Sequence, residues 1–187
     1  MKKIVLASQS PRRKEILEKC GISFTTDPSD IDETRNEELS IPLQIEDLSD
    51  RKASAVLKRY PDCIVIGSDT AVVIHEKILG KPKSEEEAFQ MLKELQGNTH
   101  QVVTGLCILS NRRKYQNVSV SDVTFADMSD DEIWKYIATD ECMDKAGAYG
   151  IQGYGGRYIT GIKGDFYSIM GLPLNLVYEE MKNFKLY

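Results

Sequence analysis

Two serines and two arginines follow a short apolar run near the beginning of the chain. Residues 4–7 are apolar, and Ser8, Ser10, Arg12 and Arg13 come directly after them. Ser10 suits the position before a helix, and the proline that follows it suits the first helical position. A helix start binds anions through its backbone N–H groups, and the two guanidinium groups add positive charge. The pattern predicts a phosphate site, and the alternative is a capped helix with solvated arginines.

An acidic side chain follows the second apolar run. Asp69 comes shortly after residues 63–67, so we expect it at a strand end, next to the phosphate site. It has two suitable roles there, because a carboxylate can ligate a hard cation such as Mg²⁺ or accept a proton from an attacking water. The alternative is an aspartate that stabilises a turn.

Four other polar side chains are candidates for the same chemistry. Glu33 lies in an acidic segment and could supply a second carboxylate for a cation, while Lys52 and Lys81 could neutralise phosphates. Gln152 lies in a glycine-rich stretch and carries the paired donor and acceptor that reading a nucleobase edge requires. Each has a simpler interpretation, as solvated surface or as part of a turn.

Apolar periodicity and capping residues predict the elements that would position these side chains. Strands are expected at residues 4–7, 63–67, 101–109 and 115–126, and helices at 11–20, 42–60, 84–97, 129–137 and 174–183. Residues 71–78 are expected to form an extended, hairpin-like passage, and the glycine-rich residues 147–164 are not expected to form a helix. Interleaved strands and helices predict an α/β fold, a single domain over residues 1–187 with one mixed, twisted sheet flanked by helices.

Composition excludes several classes of protein. The chain has 187 residues, 41% of them apolar, which is enough for a substantial core. Because 29 acidic residues outnumber 24 basic ones, we expect neither nucleic acid nor a membrane surface as a partner. Four cysteines without a close pair indicate reduced thiols in a cytoplasmic protein, and two histidines without zinc-type spacing argue against a zinc site. The apolar run at residues 4–7 is too short for a signal peptide.

Six segments together resemble the Maf family of nucleoside triphosphate pyrophosphatases, also called septum formation inhibitors. They are residues 6–13, 66–70, 79–82, 97–102, 144–153 and 171–174. The resemblance implies hydrolysis of a nucleoside triphosphate between its α- and β-phosphates, with a divalent cation, Mg²⁺ or Mn²⁺, as cofactor. It also implies a fold similar to that of inosine triphosphatase, with a cleft between two lobes, and a homodimer.

The same resemblance implies roles for the candidate residues. Asp69 matches the family's proton acceptor and, with Glu33, a metal-binding carboxylate. The positions that match the family's triphosphate site are Ser8, Arg12, Arg13, Lys52 and Lys81.

Three positions resemble the branch of the family that hydrolyses dTTP and UTP, with modified pyrimidine nucleotides as further candidate substrates. These are Arg12, Thr70 and Gln152. Ser68 departs from that branch, which more often has alanine there. The alternatives are a 7-methyl-GTP pyrophosphatase, or a non-catalytic nucleotide-binding regulator of septum formation linked to arrest of cell division.

Overall fold

Seven strands and six helices lie within residues 3–184, the part of the chain that the computed structural model describes. The strands are β1 (Ile4–Leu6), β2 (Phe24–Thr26), β3 (Ile64–Ile74), β4 (Lys77–Leu79), β5 (Thr99–Ser110), β6 (Arg113–Phe125) and β7 (Ile159–Lys163). The helices are α1 (Pro11–Glu18), α2 (Ile41–Arg59), α3 (Glu85–Leu95), α4 (Asp130–Ile137), α5 (Phe166–Met170) and α6 (Leu174–Asn183). Short 3₁₀ turns lie at Ala146–Ala148 and Tyr154–Tyr158.

The strands form one mixed sheet in the order β2-β1-β3-β5-β6-β7, with β4 paired to β3. β1 runs parallel to both β2 and β3, and Leu6 stands opposite Ile66 in the second of these pairs. β4 is antiparallel to β3, and β7 is antiparallel to β6. The predicted α/β class with a mixed sheet and flanking helices is therefore confirmed.

Local capping explains where the helices begin. The Ser10 side chain accepts the backbone N–H of Arg13, and a proline occupies the first turn of α1. Ser129 and Glu132 form a reciprocal capping box at the start of α4, the helix predicted over residues 129–137. In α3 the reciprocal box is incomplete, because the Glu87 carboxylate accepts the N–H of Lys83 instead of that of the capping serine.

Several boundaries differ from the prediction. β3 does not end at Gly67 but continues to Ile74, so Asp69 lies inside a strand and the expected strand end is wrong. A polar Ser-Asp-Thr sequence is typical of a turn, but here distant partners satisfy the buried polar side chains. Strands β2 and β7 and helix α5 were not predicted, because three to five residues carry too little periodicity to identify them.

Helix α2 lies directly on the backbone of two strands. A Cβ atom at Gly67 of β3 would lie 2.4 Å from the Ser49 carbonyl oxygen, and one at Gly105 of β5 would lie 2.6 Å from the Ile45 carbonyl oxygen. Only hydrogen fits at either position. The same helix buries Ala53 and Val56 in the apolar cluster that contains residues of β1, β3 and β5.

The described residues form two compact units. The first contains residues 3–69, 104–119 and 171–184, and the second contains residues 70–103 and 120–170. Strands β3, β5 and β6 contribute residues to both. The expectation of a single domain over the whole chain stays a prediction. No helix among residues 3–184 is both long and apolar enough to cross a membrane.

Candidate active site

The turn after β1 holds a guanidinium group in place. Arg13 donates from Nε to the Gly171 carbonyl oxygen at 2.9 Å and from Nη1 to Ser8 Oγ at 3.3 Å. Ser8 Oγ also accepts the backbone N–H of Ser10 at 3.1 Å. The predicted cluster of Ser8, Ser10 and Arg13 is therefore a set of contacting residues, with the arginine side chain fixed at the start of α1.

Burial and neighbouring charged groups shift the pKa of Arg13. Burial lowers the pKa of its guanidinium, and the positive charge of Arg12 lowers it further, while Asp69 and Glu33 act in the opposite direction. Arg12 lies next to Arg13 in the first turn of α1 and is half-buried. The residues predicted for phosphate binding and those predicted as carboxylate ligands therefore share one electrostatic environment in the first unit.

Asp69 is a buried carboxylate with a cation on each oxygen. Its exposed fraction is 5%, its Oδ1 accepts from Lys52 Nζ at 2.9 Å, and its Oδ2 accepts from Arg35 Nη2 at 3.1 Å. Burial alone would raise the pKa of Asp69, but the positive charges of Lys52, Arg13 and Arg35 outweigh burial and hold that pKa below its ordinary value. The side chain is therefore an anion at neutral pH.

The seating of α2 on the sheet explains why Lys52 reaches Asp69. Side chains two apart in a strand point to the same face, so Asp69 lies on the face of β3 that presents Gly67 to α2. Lys52 is buried on that helix. Its Nζ also contacts Glu33 Oε1 at 3.0 Å, so one ammonium group joins the two predicted carboxylates.

The acidic segment that carries Glu33 is folded onto α2. Arg51 donates to the backbone carbonyl oxygens of Asp32 and Thr34, both at 2.8 Å, and Arg59 donates to the Asp27 carboxylate at 2.9 Å. Arginines of α2 therefore hold the backbone of this segment, while the Asp32 and Glu33 side chains are exposed, as in a solvated acidic run. The Glu33 side chain itself stays 59% exposed and is thus accessible to a ligand.

Arg35 is the residue that the sequence analysis missed. It lies in the same acidic segment, and its side chain is 28% exposed. Its Nη2 contacts Asp69, but its Nε is buried and has no hydrogen-bond partner among the described residues. A basic residue two positions after Glu33 was the available signal, and the surrounding acidic residues obscured it.

The Ser68 side chain lies on the opposite face of β3 from Asp69 and forms hydrogen bonds to backbone carbonyl groups. Its buried hydroxyl donates to the carbonyl oxygens of Gly105 at 2.8 Å and Gly171 at 2.9 Å. Gly171 is the same residue whose carbonyl oxygen accepts from Arg13. The serine that departs from the family pattern therefore supports the loop that holds Arg13.

Three predicted site residues belong to the second unit. Thr70 follows Asp69 on β3 and is half-buried, while Lys81 and Gln152 are exposed. The segment with Lys81 is tied to the turn Ala146–Ala148, because Gly147 donates its N–H to the Gly80 carbonyl oxygen at 3.0 Å. The contacts described for Lys81 and Gln152 do not test their predicted roles.

The carboxylates of the first unit fit a cation that shares its ligands with phosphate. Mg²⁺ is commonly held by one or two carboxylates together with substrate phosphates and waters, and Asp69 and Glu33 meet at Lys52. Among residues 3–184 no group of three or more histidine, cysteine or acidic side chains is arranged to hold a metal ion. A cation held by these two carboxylates would take its remaining ligands from other groups.

Comparison with known proteins places the chain in a family. The family described as "Maf-like protein" matches residues 3–184. A dTTP/UTP pyrophosphatase of a Geobacillus species is 48% identical over 182 residues, covering 97% of this chain and 98% of the relative. A dTTP/UTP pyrophosphatase of Bacillus velezensis is 45% identical over 185 residues, covering 99% and 98%.

A solved structure with low sequence identity has the same fold. The Staphylococcus aureus Ham1 protein is 17% identical, with a TM-score of 0.54 over 97% of this chain and 99% of the other. The family match extends over all six segments on which the resemblance rested. The chain belongs to the Maf family.

Proposed function

We propose that this protein hydrolyses dTTP and UTP to the nucleoside monophosphate and pyrophosphate. The observation that carries the proposal is the buried Asp69 carboxylate, which contacts Lys52 and Arg35 and is influenced by the charge of Arg13. An ionised carboxylate among several cations suits a reaction in which a polyanion binds and a water loses a proton. The curated relatives named above carry the activity in their names.

The positive groups bind the triphosphate. Arg12 and Arg13 at the start of α1 neutralise the charge of phosphate oxygens. Ser8, Ser10 and the helix N–H groups donate hydrogen bonds to the same oxygens. Lys52 and Lys81 add compact positive charges. Arg13 is held by Gly171 and Ser8 before any ligand binds, so its position requires little rearrangement.

The reaction is a substitution at the α-phosphorus. The oxygen of a water molecule forms a bond to the α-phosphorus, and the bond from that phosphorus to the oxygen bridging the α- and β-phosphates breaks. Pyrophosphate leaves with the electron pair of the broken bond. Asp69 orients the water and takes its proton, while the surrounding cations stabilise the charge on the phosphate oxygens.

Asp69 and Glu33 are the residues that would hold a divalent cation, Mg²⁺ or Mn²⁺. Such a cation would supply positive charge that offsets the negative charge developing on the phosphate oxygens. The two carboxylates are already drawn together by Lys52. A pyrophosphate-release assay with each metal determines which of the two supports the reaction.

Gln152 reads the pyrimidine base in this proposal, and Arg12 and Thr70 are the other two positions that resemble the dTTP/UTP branch. The exposed amide of Gln152 offers a donor and an acceptor to a base edge. Once a bound base covers this amide, a donor or acceptor that the wrong base leaves unpaired costs about 1–3 kcal/mol. Modified pyrimidine nucleotides remain candidate substrates. The homodimer and the cytoplasmic location stay predictions, and light scattering of the purified protein tests the former.

The test is a pyrophosphate-release assay with dTTP, UTP, CTP and 7-methyl-GTP, each with Mg²⁺ and with Mn²⁺. We expect release from dTTP and UTP in preference to the other two, with the monophosphate as the second product by phosphorus NMR. A preference for 7-methyl-GTP would instead identify the protein as a 7-methyl-GTP pyrophosphatase. Binding of nucleotide without release under either metal would instead support a non-catalytic regulator.

A further inference from the structure

The glycine-rich segment of residues 150–156, which leads into the second 3₁₀ turn, is folded around a single carboxylate. Glu141, four residues beyond the end of α4, accepts the N–H of Tyr154 at Oε2, 2.7 Å away. Its Oε1 accepts the N–H of Gly155 at 3.1 Å and the Tyr136 hydroxyl at 2.9 Å. Three donors converge on one side chain, and two of them belong to the backbone.

The glycines of this segment allow the close approach. A Cβ atom at Gly153 would lie 2.0 Å from Glu141 Oε2, and one at Gly155 would lie 2.9 Å from the Tyr136 hydroxyl oxygen. Either the carboxylate or the segment would have to shift to relieve the clash at Gly153. The spacing of the glycines therefore matches the shape of a chain wrapped around Glu141.

The contacts hold the segment on both sides of Gln152. The Tyr136 hydroxyl, which donates to Glu141, also accepts the N–H of Gly150 at 3.2 Å. The chain is thus tied down at Gly150 on one side and at Tyr154 and Gly155 on the other. Three residues remain between these ties, and the exposed Gln152 is the middle one.

The partners of Glu141 favour its charged form. Burial alone would raise the pKa of this carboxyl, but the N–H groups of Gly155 and Tyr154 and the Tyr136 hydroxyl outweigh burial and lower it. Hydrogen bonds to an ionised acceptor are roughly twice as strong as those between neutral groups. A glycine-rich chain loses much conformational freedom when it is ordered, and these bonds offset that loss.

We propose that Glu141 is a positioning residue that sets the place of Gln152 and thereby the choice of base. This inference rests on the proposed function, in which Gln152 reads the base. A displacement of about 1 Å in a positioning group can cost up to 10²-fold in rate. Other contacts described for the three-residue loop include a hydrogen bond from the Gly153 N–H to the Gly150 carbonyl oxygen at 3.4 Å and the packing of Ile151 against the apolar core.

The test compares Glu141→Gln, Gln152→Ala and the double variant, with kcat and KM measured for UTP and for CTP. A glutamine side chain offers one acceptor oxygen instead of two and turns an N–H₂ donor toward the backbone donors. We expect Glu141→Gln to raise the KM for UTP about tenfold and to lower the preference for UTP over CTP, with a smaller effect on kcat. In the double variant the preference should be no lower than in Gln152→Ala alone.

Amide hydrogen exchange provides a readout that does not depend on activity. Exchange at Tyr154 and Gly155 should become faster in Glu141→Gln, while exchange in α2 should stay as in the parent protein. If Glu141→Gln does not fold, Tyr136→Phe removes the hydroxyl that serves both Glu141 and Gly150. It should shift the UTP preference in the same direction and by less.

Glu132→Gln is the matched control. The Glu132 carboxylate also accepts a backbone N–H, that of Ser129 at 2.9 Å, in the capping box of α4. Its replacement should lower stability without changing the preference for UTP. An unchanged preference in Glu141→Gln, with a changed one in Gln152→Ala, would overturn the positioning role and leave the proposed function intact. An unchanged preference in Gln152→Ala would overturn base reading and the positioning role together, while pyrophosphate release would still stand.

Discussion

The two units each contain a carboxylate whose pKa lies below its ordinary value, but the partners that lower the two values differ in kind. Asp69 in the first unit is surrounded by the charged side chains of Lys52, Arg35 and Arg13. Glu141 in the second unit is surrounded by backbone N–H groups and a tyrosine hydroxyl, with a smaller effect from Lys145. The same protonation state is reached by charge in one case and by hydrogen bonding in the other.

The difference indicates what each carboxylate can do. Charged partners can be exchanged for other charges, so a divalent cation can take the place of a cationic side chain at Asp69, and a phosphate can take the place of Asp69 on that side chain, without unfolding the chain. The backbone partners of Glu141 can be released only by unfolding residues 150–156. The first arrangement therefore suits chemistry, and the second suits holding a segment still.

The contrast between the two carboxylates requires that Asp69 takes part in the reaction. Asp69→Asn keeps the size of the side chain but removes the proton acceptor, so we expect pyrophosphate release from UTP to fall by about 10²- to 10⁴-fold. Asp50→Asn is the control, because Asp50 is ion-paired with Lys114 at 2.5 Å in the same unit. Release at the parent rate by the Asp69 variant would contradict its assignment as the base.

Removing the Lys52 ammonium group tests how much its buried ion pair with Asp69 contributes to the free energy of unfolding. Lys52→Met keeps the length of the side chain but leaves Asp69 with one fewer positive partner in a buried position. We expect the free energy of unfolding at pH 7 to fall by about 3 kcal/mol, measured by urea denaturation. Lys58→Met, on the exposed side of the same helix, should leave it nearly unchanged. Equal effects of the two variants would show that the buried ion pair does not contribute.

Arg35 tests whether a charged partner is exchangeable. Its contact with Asp69 Oδ2 competes with a metal ion for that oxygen, so Arg35→Ala should bind Mn²⁺ more tightly in the absence of nucleotide. Loss of a partly exposed ion pair of about 1 kcal/mol corresponds to about fivefold in affinity. The measurement is the electron paramagnetic resonance signal of free Mn²⁺ during a titration.

Arg59→Ala is the control for this titration, because Arg59 binds Asp27 in the same acidic segment. It should leave the Mn²⁺ affinity at the parent value. Weaker Mn²⁺ binding by Arg35→Ala would mean that the arginine assembles the site instead of competing for it.

The smallest expected effect concerns pH. Because folding lowers the pKa of Glu141 below its ordinary value of 4.5, its contribution to stability is fully present above that value. The contribution is lost as the pH falls through the folded pKa. The difference in unfolding free energy between the parent protein and Glu141→Gln should therefore be constant near neutral pH and shrink under acid. A difference that grows toward low pH would exclude an ionised Glu141 in the folded state.

Local signals were sufficient for much of the fold. The serine cap and proline of α1 and the capping box of α4 act between residues three positions apart, so they can be identified from the sequence. The position of Asp69 inside a strand could not, because its partners come from α2 and from the segment before it. The buried position of Ser68 in the same strand could not be identified either, since the carbonyl groups that accept from its hydroxyl belong to residues 105 and 171.

The candidate site was predicted to a different extent in its two parts. The structure brings together Arg13 and Asp69, which lie in the motifs, with Lys52 and Glu33, which were proposed as single candidate residues. Arg35 and Glu141 carry no motif, and only their contacts identify them. The roles of Lys81, Thr70 and Gln152 stay predictions, because those roles depend on a ligand.

The seating of α2 on bare backbone has a consequence for random mutagenesis. Neither Gly67 nor Gly105 bears a functional group, yet a methyl group at either would meet a helix carbonyl oxygen at 2.4 or 2.6 Å. The helix would have to lift, and Lys52 would lose its reach to the carboxylate. In a genetic screen, alanine alleles at these two chemically silent positions should appear among the null mutants, beside those that delete a charged group.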